Sequence, residues 1–157
     1  MNSLSVFYEH ILEASSQAGL TIEQALHHAK TCGIDLLECD LWRLDQGDGL
    51  KAVFDSCGMG VSCIYSHFDF LHDSTEIFRE KYMRLFECAK VLQCDKVLCV
   101  PGLLDFDDNQ EKQMAVICQR LTEMCKAAEA YGITVTVENF GNIKSPCCKI
   151  AQLQYLF

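Results

Sequence analysis

Glu138 stands at the end of TVTVENFG, directly after a run of apolar and β-branched residues. A carboxylate delivered by such a run to a strand tip, beside a partly dry cavity, can bind a divalent cation or move a proton. A solvated surface acid would look the same. The stretch CIYSHFDFLHD brings His67, Asp69, His72 and Asp73 together in one loop. His67 falls just past an apolar run, where an imidazole can hydrogen-bond a hydroxyl, ligate a metal, or sit satisfied in its own loop. Asp73 or Ser74 suits the N-cap of the helix that follows. A third stretch, LLECDLW, offers Glu38, Asp40 and Trp42. Glu38 has two open roles, one toward a polar ligand and one as a structural ion-pair partner. His27 and His28 fall inside a helical stretch and read as surface or packing residues, while His10 carries no signal of its own.

These groups end short, apolar, partly β-branched segments at 6–8, 34–39, 61–65, 96–100 and 133–138. That is the pattern of strands covered on both faces. Amphipathic helices lie between them. One places Met114, Ile117, Cys118, Leu121, Cys125 and Ala128 on a stripe; another does so with Phe78, Tyr82, Leu85, Ala89 and Leu92. Leu50, Val53, Phe54 and Cys57 repeat the pattern over a shorter span. Thr21 with Gln24 three residues later forms a capping box for the first helix. Gly33, Gly58 and Gly132 each close an amphipathic run, where a left-handed helix end calls for glycine. Strands alternating with helices through short connections predict parallel pairing by right-handed crossovers. In such folds function sits at the carboxyl ends of the strands. The Pro-Gly after the fourth segment brings no acid or base there, but lets backbone approach a ligand closely.

The chain has 157 residues and a formal net charge of −9, with no cluster of Lys and Arg. Nucleic-acid binding needs such clusters to displace phosphate counterions, so neither nucleic acid nor a membrane surface is an expected partner. No apolar run approaches the roughly 20 residues of a membrane span. The N-terminal MNSLSVFYEH lacks the basic and apolar regions of a signal peptide, so a cytoplasmic protein is expected. Eleven cysteines include no Cys-x-x-Cys pair. They read as small buried hydrophobes with reduced thiols rather than as a zinc site.

Five such units fit either a complete flavodoxin-like sheet or the leading part of an eight-stranded barrel. A phosphate loop after the first strand would favour the former, and EHILEASSQAG is a poor one. At the far end, Ser145-Pro146 predicts a helix start, with the helix running through CCKIAQLQYLF. A chain stopping on Tyr155, Leu156 and Phe157 favours a barrel cut before its end.

GIDLLECD, VSCIYSHFDF, KVLCVPG and ITVTVENFG, in that order and spacing, resemble the xylose isomerase-like barrel superfamily, and within it the sugar phosphate isomerases/epimerases. ENFG is the most specific piece. The resemblance implies a partial (β/α)8 TIM barrel, with residues 1–157 as its N-terminal portion of about five βα units. It implies Glu138 as metal ligand and acid/base and places His67 near the metal or substrate; His67, Glu38 and Asn139 are the expected substrate contacts. It further implies a divalent ion (Mn, Mg, Co or Zn) and a small sugar or sugar phosphate as substrate. The family's other metal ligands, an acid, a histidine and a second glutamate, come from strands six to eight. The expectation is therefore weak or absent metal binding and no isomerase turnover in this chain, with open sheet edges inviting self-association. A non-catalytic remnant is the other reading. The related apurinic-site endonucleases carry a histidine before the fourth-strand Pro-Gly, where Val100 stands here, which argues against DNA repair.

Overall fold

Burial of each short apolar segment under a following helix makes it a strand. The computed structural model describes residues 3–45 and 49–157. Strands β1 (Leu4–Phe7), β2 (Ile34–Asp40), β3 (Gly60–His67), β4 (Lys96–Val100) and β5 (Thr134–Thr136) form one sheet in that sequential order. All neighbouring pairs are parallel. A flavodoxin-like sheet places its first strand between the second and third, so this order excludes it. Sequential parallel strands with outer helices are a partial TIM barrel.

Helices α1 (Tyr8–Ala18) and α2 (Ile22–Thr31) join β1 to β2, and α3 (Leu41–Asp45) and α4 (Leu50–Ser56) join β2 to β3. Single helices, α5 (Thr75–Val91), α6 (Gln110–Glu129) and α7 (Ile150–Leu156), follow the last three strands. Side-chain alternation separates the two faces of the sheet. Leu37, Cys39, Ile64, Val97 and Cys99 turn toward the helices and are fully buried. The smaller core cluster lies under α1, α2 and α4, with Ile11, Leu26 and Phe54; the larger, under α5 and α6, includes Phe78, Leu85, Ile117 and Met124. The residues between them, among them Tyr65, Leu98 and Val100, turn to the opposite face and are only half-buried.

Several local expectations shift. EHILEASSQAG, a poor phosphate loop in sequence, is mostly α1, which starts earlier than expected, buries Tyr8, Ile11 and Ser15 and ends at Gly19. Tyr8 therefore opens a helix instead of ending a strand, packed edge-on against Phe54 at 5.1 Å. The Thr21–Gln24 capping box is present, but it starts the second helix. In α6 the buried stripe runs through Met124 while Cys125 is exposed. Cys118 and Cys125 each follow a buried stripe residue, Ile117 and Met124, by one position and so stand roughly 100° further around the helix. Ser145 and Pro146 form a turn instead of a helix start: the Ser145 hydroxyl accepts from the Cys147 amide (3.2 Å), and Cys147 is fully buried. Ser74 is the N-cap of α5. All eleven cysteines are free thiols. Among the described residues, no helix is long and apolar enough to cross a membrane.

Candidate active site at the strand tips

Alternation along β3 fixes the first site residues. With Ile64 facing the helices, Tyr65 and His67 face the other way, in register with Leu98 and Val100 of β4. Together they form the base of a cleft of about 280 Å³. Glu138 and Phe140, beyond β5, close one side of it; Phe7, Glu9 and His10, where β1 runs directly into α1, close the other. In a flat sheet, β1 and β5 would stand roughly 19 Å apart at about 4.8 Å per strand. That residues from both line one cleft reflects the curvature of the sheet.

Edge-to-face aromatic contacts hold the β1 side in place. Phe7 packs on His10 at 5.6 Å and on Tyr65 at 5.7 Å, and Tyr65 on His67 at 6.3 Å. The loops beyond β3, β4 and β5 are tied by backbone hydrogen bonds. The Phe68 amide donates to the Val100 carbonyl (2.8 Å), and the Leu104 amide to the Lys144 carbonyl (2.7 Å). Buried Gln113 braces the β4–α6 loop, its side chain exchanging two hydrogen bonds with the Asp105 backbone at 2.7 and 2.8 Å. The Pro-Gly turn has a structural task. Gly102 sits at φ +85°, and a Cβ there would lie 2.9 Å from the Phe68 carbonyl oxygen. Its backbone thus approaches the loop after His67.

The electrostatics of the cleft are acidic and partly dry. Burial, and then the negative charge and proximity of the Glu9 carboxylate, pushes the Tyr65 phenol well above its ordinary range. Both carboxylate oxygens of Glu9 are buried, and neither has a partner at good hydrogen-bond geometry. Burial likewise raises the Cys63 thiol to about 12, with Cys94 and Glu38 adding to it. None of the cleft-lining residues is Lys or Arg.

Of the residues expected at the site, Glu138 and His67 meet in this cleft; Glu38 and Asn139 do not line it. The Glu38 carboxylate instead accepts from the Ser5 hydroxyl at 2.5 Å, and Asn139 is exposed. Asp69, His72 and Asp73 are taken up in their own turn. Asp69 accepts from the His72 and Leu71 amides and contacts the His72 ring at 2.8 Å; Asp73 pairs with Lys81 at 2.8 Å. Asp40 and Trp42 border a separate depression with Ser66, Lys81 and Arg84, which touches the first site only through His67. Glu9, His10 and Tyr65 escaped the sequence reading. Glu9 follows its strand much as Glu138 follows β5, and that position was the available signal.

Glu138, His67 and His10 offer oxygen and nitrogen donors suited to manganese or zinc. Among the described residues, however, no three His, Cys, Asp or Glu side chains converge as a metal-binding group.

A curved parallel sheet with outer helices and acid and imidazole groups at its strand tips defines a TIM-barrel protein of the kind whose chemistry lies at that rim. Its family can be stated: a model described as xylose isomerase-like TIM barrel matches residues 26–157, and the chain belongs to that family. A search of curated proteins gave no sequence match. Among solved structures, the probable 3-DHS dehydratase AsbF of Bacillus anthracis, involved in petrobactin synthesis, is similar at TM-score 0.73 and 15% identity, over 99% of this chain and 59% of that one. The IOLI protein with a bound zinc atom matches at TM-score 0.73 and 17% identity, over 99% and 58%. An L-ribulose 3-epimerase matches at TM-score 0.70 and 16% identity, over 99% and 56%. At such identities the likeness is one of fold, and the chain spans less than two thirds of the length of each.

Proposed function

We propose that residues 1–157 are the N-terminal portion of a sugar isomerase or epimerase barrel and hold part of its substrate cleft. The observation carrying this reading is the meeting of Glu138 and His67 with a second acid on one curved sheet face. Sugar isomerisation and epimerisation move a proton on the carbon next to a carbonyl. Glu138, exposed at the β5 side of the cleft, is the group to remove or return that proton. His67, held edge-on by Tyr65, is placed to hydrogen-bond a hydroxyl or the carbonyl oxygen. Phe7, Phe140, Leu98 and Val100 give the C–H faces of a sugar an apolar surface and keep water from part of the cleft.

Glu138 would be one ligand of a divalent ion, which when bound polarises the substrate carbonyl. Among the described residues the acids and imidazoles of the cleft do not converge as a metal-binding group of three, so in this reading residues 1–157 alone bind metal weakly and turn over little. The epimerase and zinc-bound neighbours support the sugar and metal reading, and the acidic charge supports a partner other than nucleic acid. A reducing, cytoplasmic location is part of this proposal. The position of β1 at the sheet edge, with Leu4 exposed on it, supports self-association through that edge.

The test is a titration of the isotope-labelled chain with a panel of neutral aldoses and ketoses and their phosphates, with and without manganese, followed by backbone amide NMR. The expected shifts fall at Tyr65–His67 and Val137–Phe140. Shifts confined elsewhere, or none with any sugar, would sink the reading.

A further inference from the structure

Glu9 is an anomaly that the proton-transfer chemistry of Glu138 does not use. It sits in the first turn of α1 and lines the cleft, and both carboxylate oxygens are buried without a well-formed hydrogen bond. The nearby Tyr65 phenol has one proton to give, so even turned fully toward Glu9 it would leave most of the carboxylate's lone pairs unused. A buried carboxylate so short of donors is costly for a fold to retain. Glutamate in the first turn complements the helix dipole, but a surface position serves that end equally well. Burial inside a cleft instead leaves its lone pairs for donors that arrive with a ligand. The surroundings define those donors. Phe7 and Tyr65 flank the β1 side as apolar rings, and among the described residues no Lys or Arg lines the cleft. Two carboxylates, Glu9 and Glu138, make the site repel phosphate and attract hydroxyl groups.

We propose that Glu9 binds adjacent hydroxyls of the substrate, and that the part of the sugar held in this cleft is an uncharged polyol face rather than a phosphorylated one. This rests on the sugar reading above and deepens it by naming the substrate class. A carboxylate accepts from two neighbouring hydroxyls at once, one on each oxygen, which a single imidazole does not. On binding, the sugar supplies the donors that Glu9 lacks, and Tyr65 and Phe7 cover the adjacent C–H groups.

The experiment uses the purified 157-residue chain with D-fructose and D-fructose 6-phosphate as probes, their binding read by ligand-observed NMR. Wild type, Glu9→Ala, Glu9→Gln and Glu138→Gln are compared, with a denaturant midpoint for each. The expected result is preference for the neutral ketose, and a loss of about tenfold or more in its affinity in Glu9→Ala, the scale of hydrogen bonds to a charged group. Glu9→Gln weakens the sugar while keeping or raising the midpoint, because it relieves a buried charge short of partners; a purely structural Glu9 would lower the midpoint and leave affinity alone. Unchanged affinity in both Glu9 variants, or preference for the phosphate, overturns the inference. If only Glu138→Gln weakens binding, the sugar site stands and the role of Glu9 falls. If wild type binds neither probe, both fall together.

Discussion

Replacing Gly102 with alanine isolates the contact that ties the β4 loop to the segment beside His67. Two costs arise at this position. At φ +85° an L-residue loses roughly 1–2 kcal/mol relative to glycine. The new methyl would also lie 2.9 Å from the Phe68 carbonyl oxygen, a backbone atom whose residue is held by the Phe68–Val100 hydrogen bond and unable to swing away. Displacing it shifts the β3 loop and adds a penalty on the scale of overpacking, about 1–3 kcal/mol. The sum is a destabilisation of about 2–5 kcal/mol. Two other glycines separate the terms. Gly132, at φ +64° with nothing within 4 Å of where a methyl would lie, should lose only the conformational cost. Gly141 has ordinary φ and open space, so alanine there should be neutral or slightly stabilising. Urea unfolding of the three variants, with the His67 amide shift recorded in each, checks the series. Equal losses in Gly102→Ala and Gly132→Ala, with His67 unmoved, would refute the argument that close approach explains this glycine.

Two further expectations concern protons and thiols. Burial would raise the Asp69 carboxyl, but hydrogen bonds from the His72 side chain and backbone outweigh it and lower its pKa. A folded pKa below the unfolded one gives stability that is present above the ordinary carboxylate range near pH 4 and lost as pH falls through the folded value. Asp69→Asn should therefore flatten the acid side of a stability-versus-pH curve while leaving the alkaline side unchanged; an unaltered acid limb would count against it. In timed labelling by a thiol reagent at about pH 8, exposed Cys32 should react first. Cys39 and Cys99, whose thiols burial pushes far above their usual range, should react only on unfolding. Prompt native-state labelling of Cys99 would contradict its place under α6.

The sequence by itself determined the alternation of strands and helices, because buried parallel strands and amphipathic helices have different periods and Gly33, Gly58 and Gly132 mark their junctions. Tips carrying Glu138 and His67 were legible for the same reason: a polar group directly after an apolar strand has one place to go. Boundaries were less legible where local signals competed. At Ser145-Pro146 burial of Cys147 favoured a turn over a helix, and in α6 the seven-residue spacing of the cysteines mimicked a stripe that belongs to Met124. Only the tertiary structure decided between flavodoxin-like and barrel order, since periodicity carries no information on which strand lies beside which. It alone brought Glu9 and His10 to Glu138, because residues nearly 130 positions apart in sequence meet only through the curvature of the sheet. It also placed Glu38 beside Ser5 and Asp69 beside His72, hydrogen bonds that no periodicity in the sequence announces.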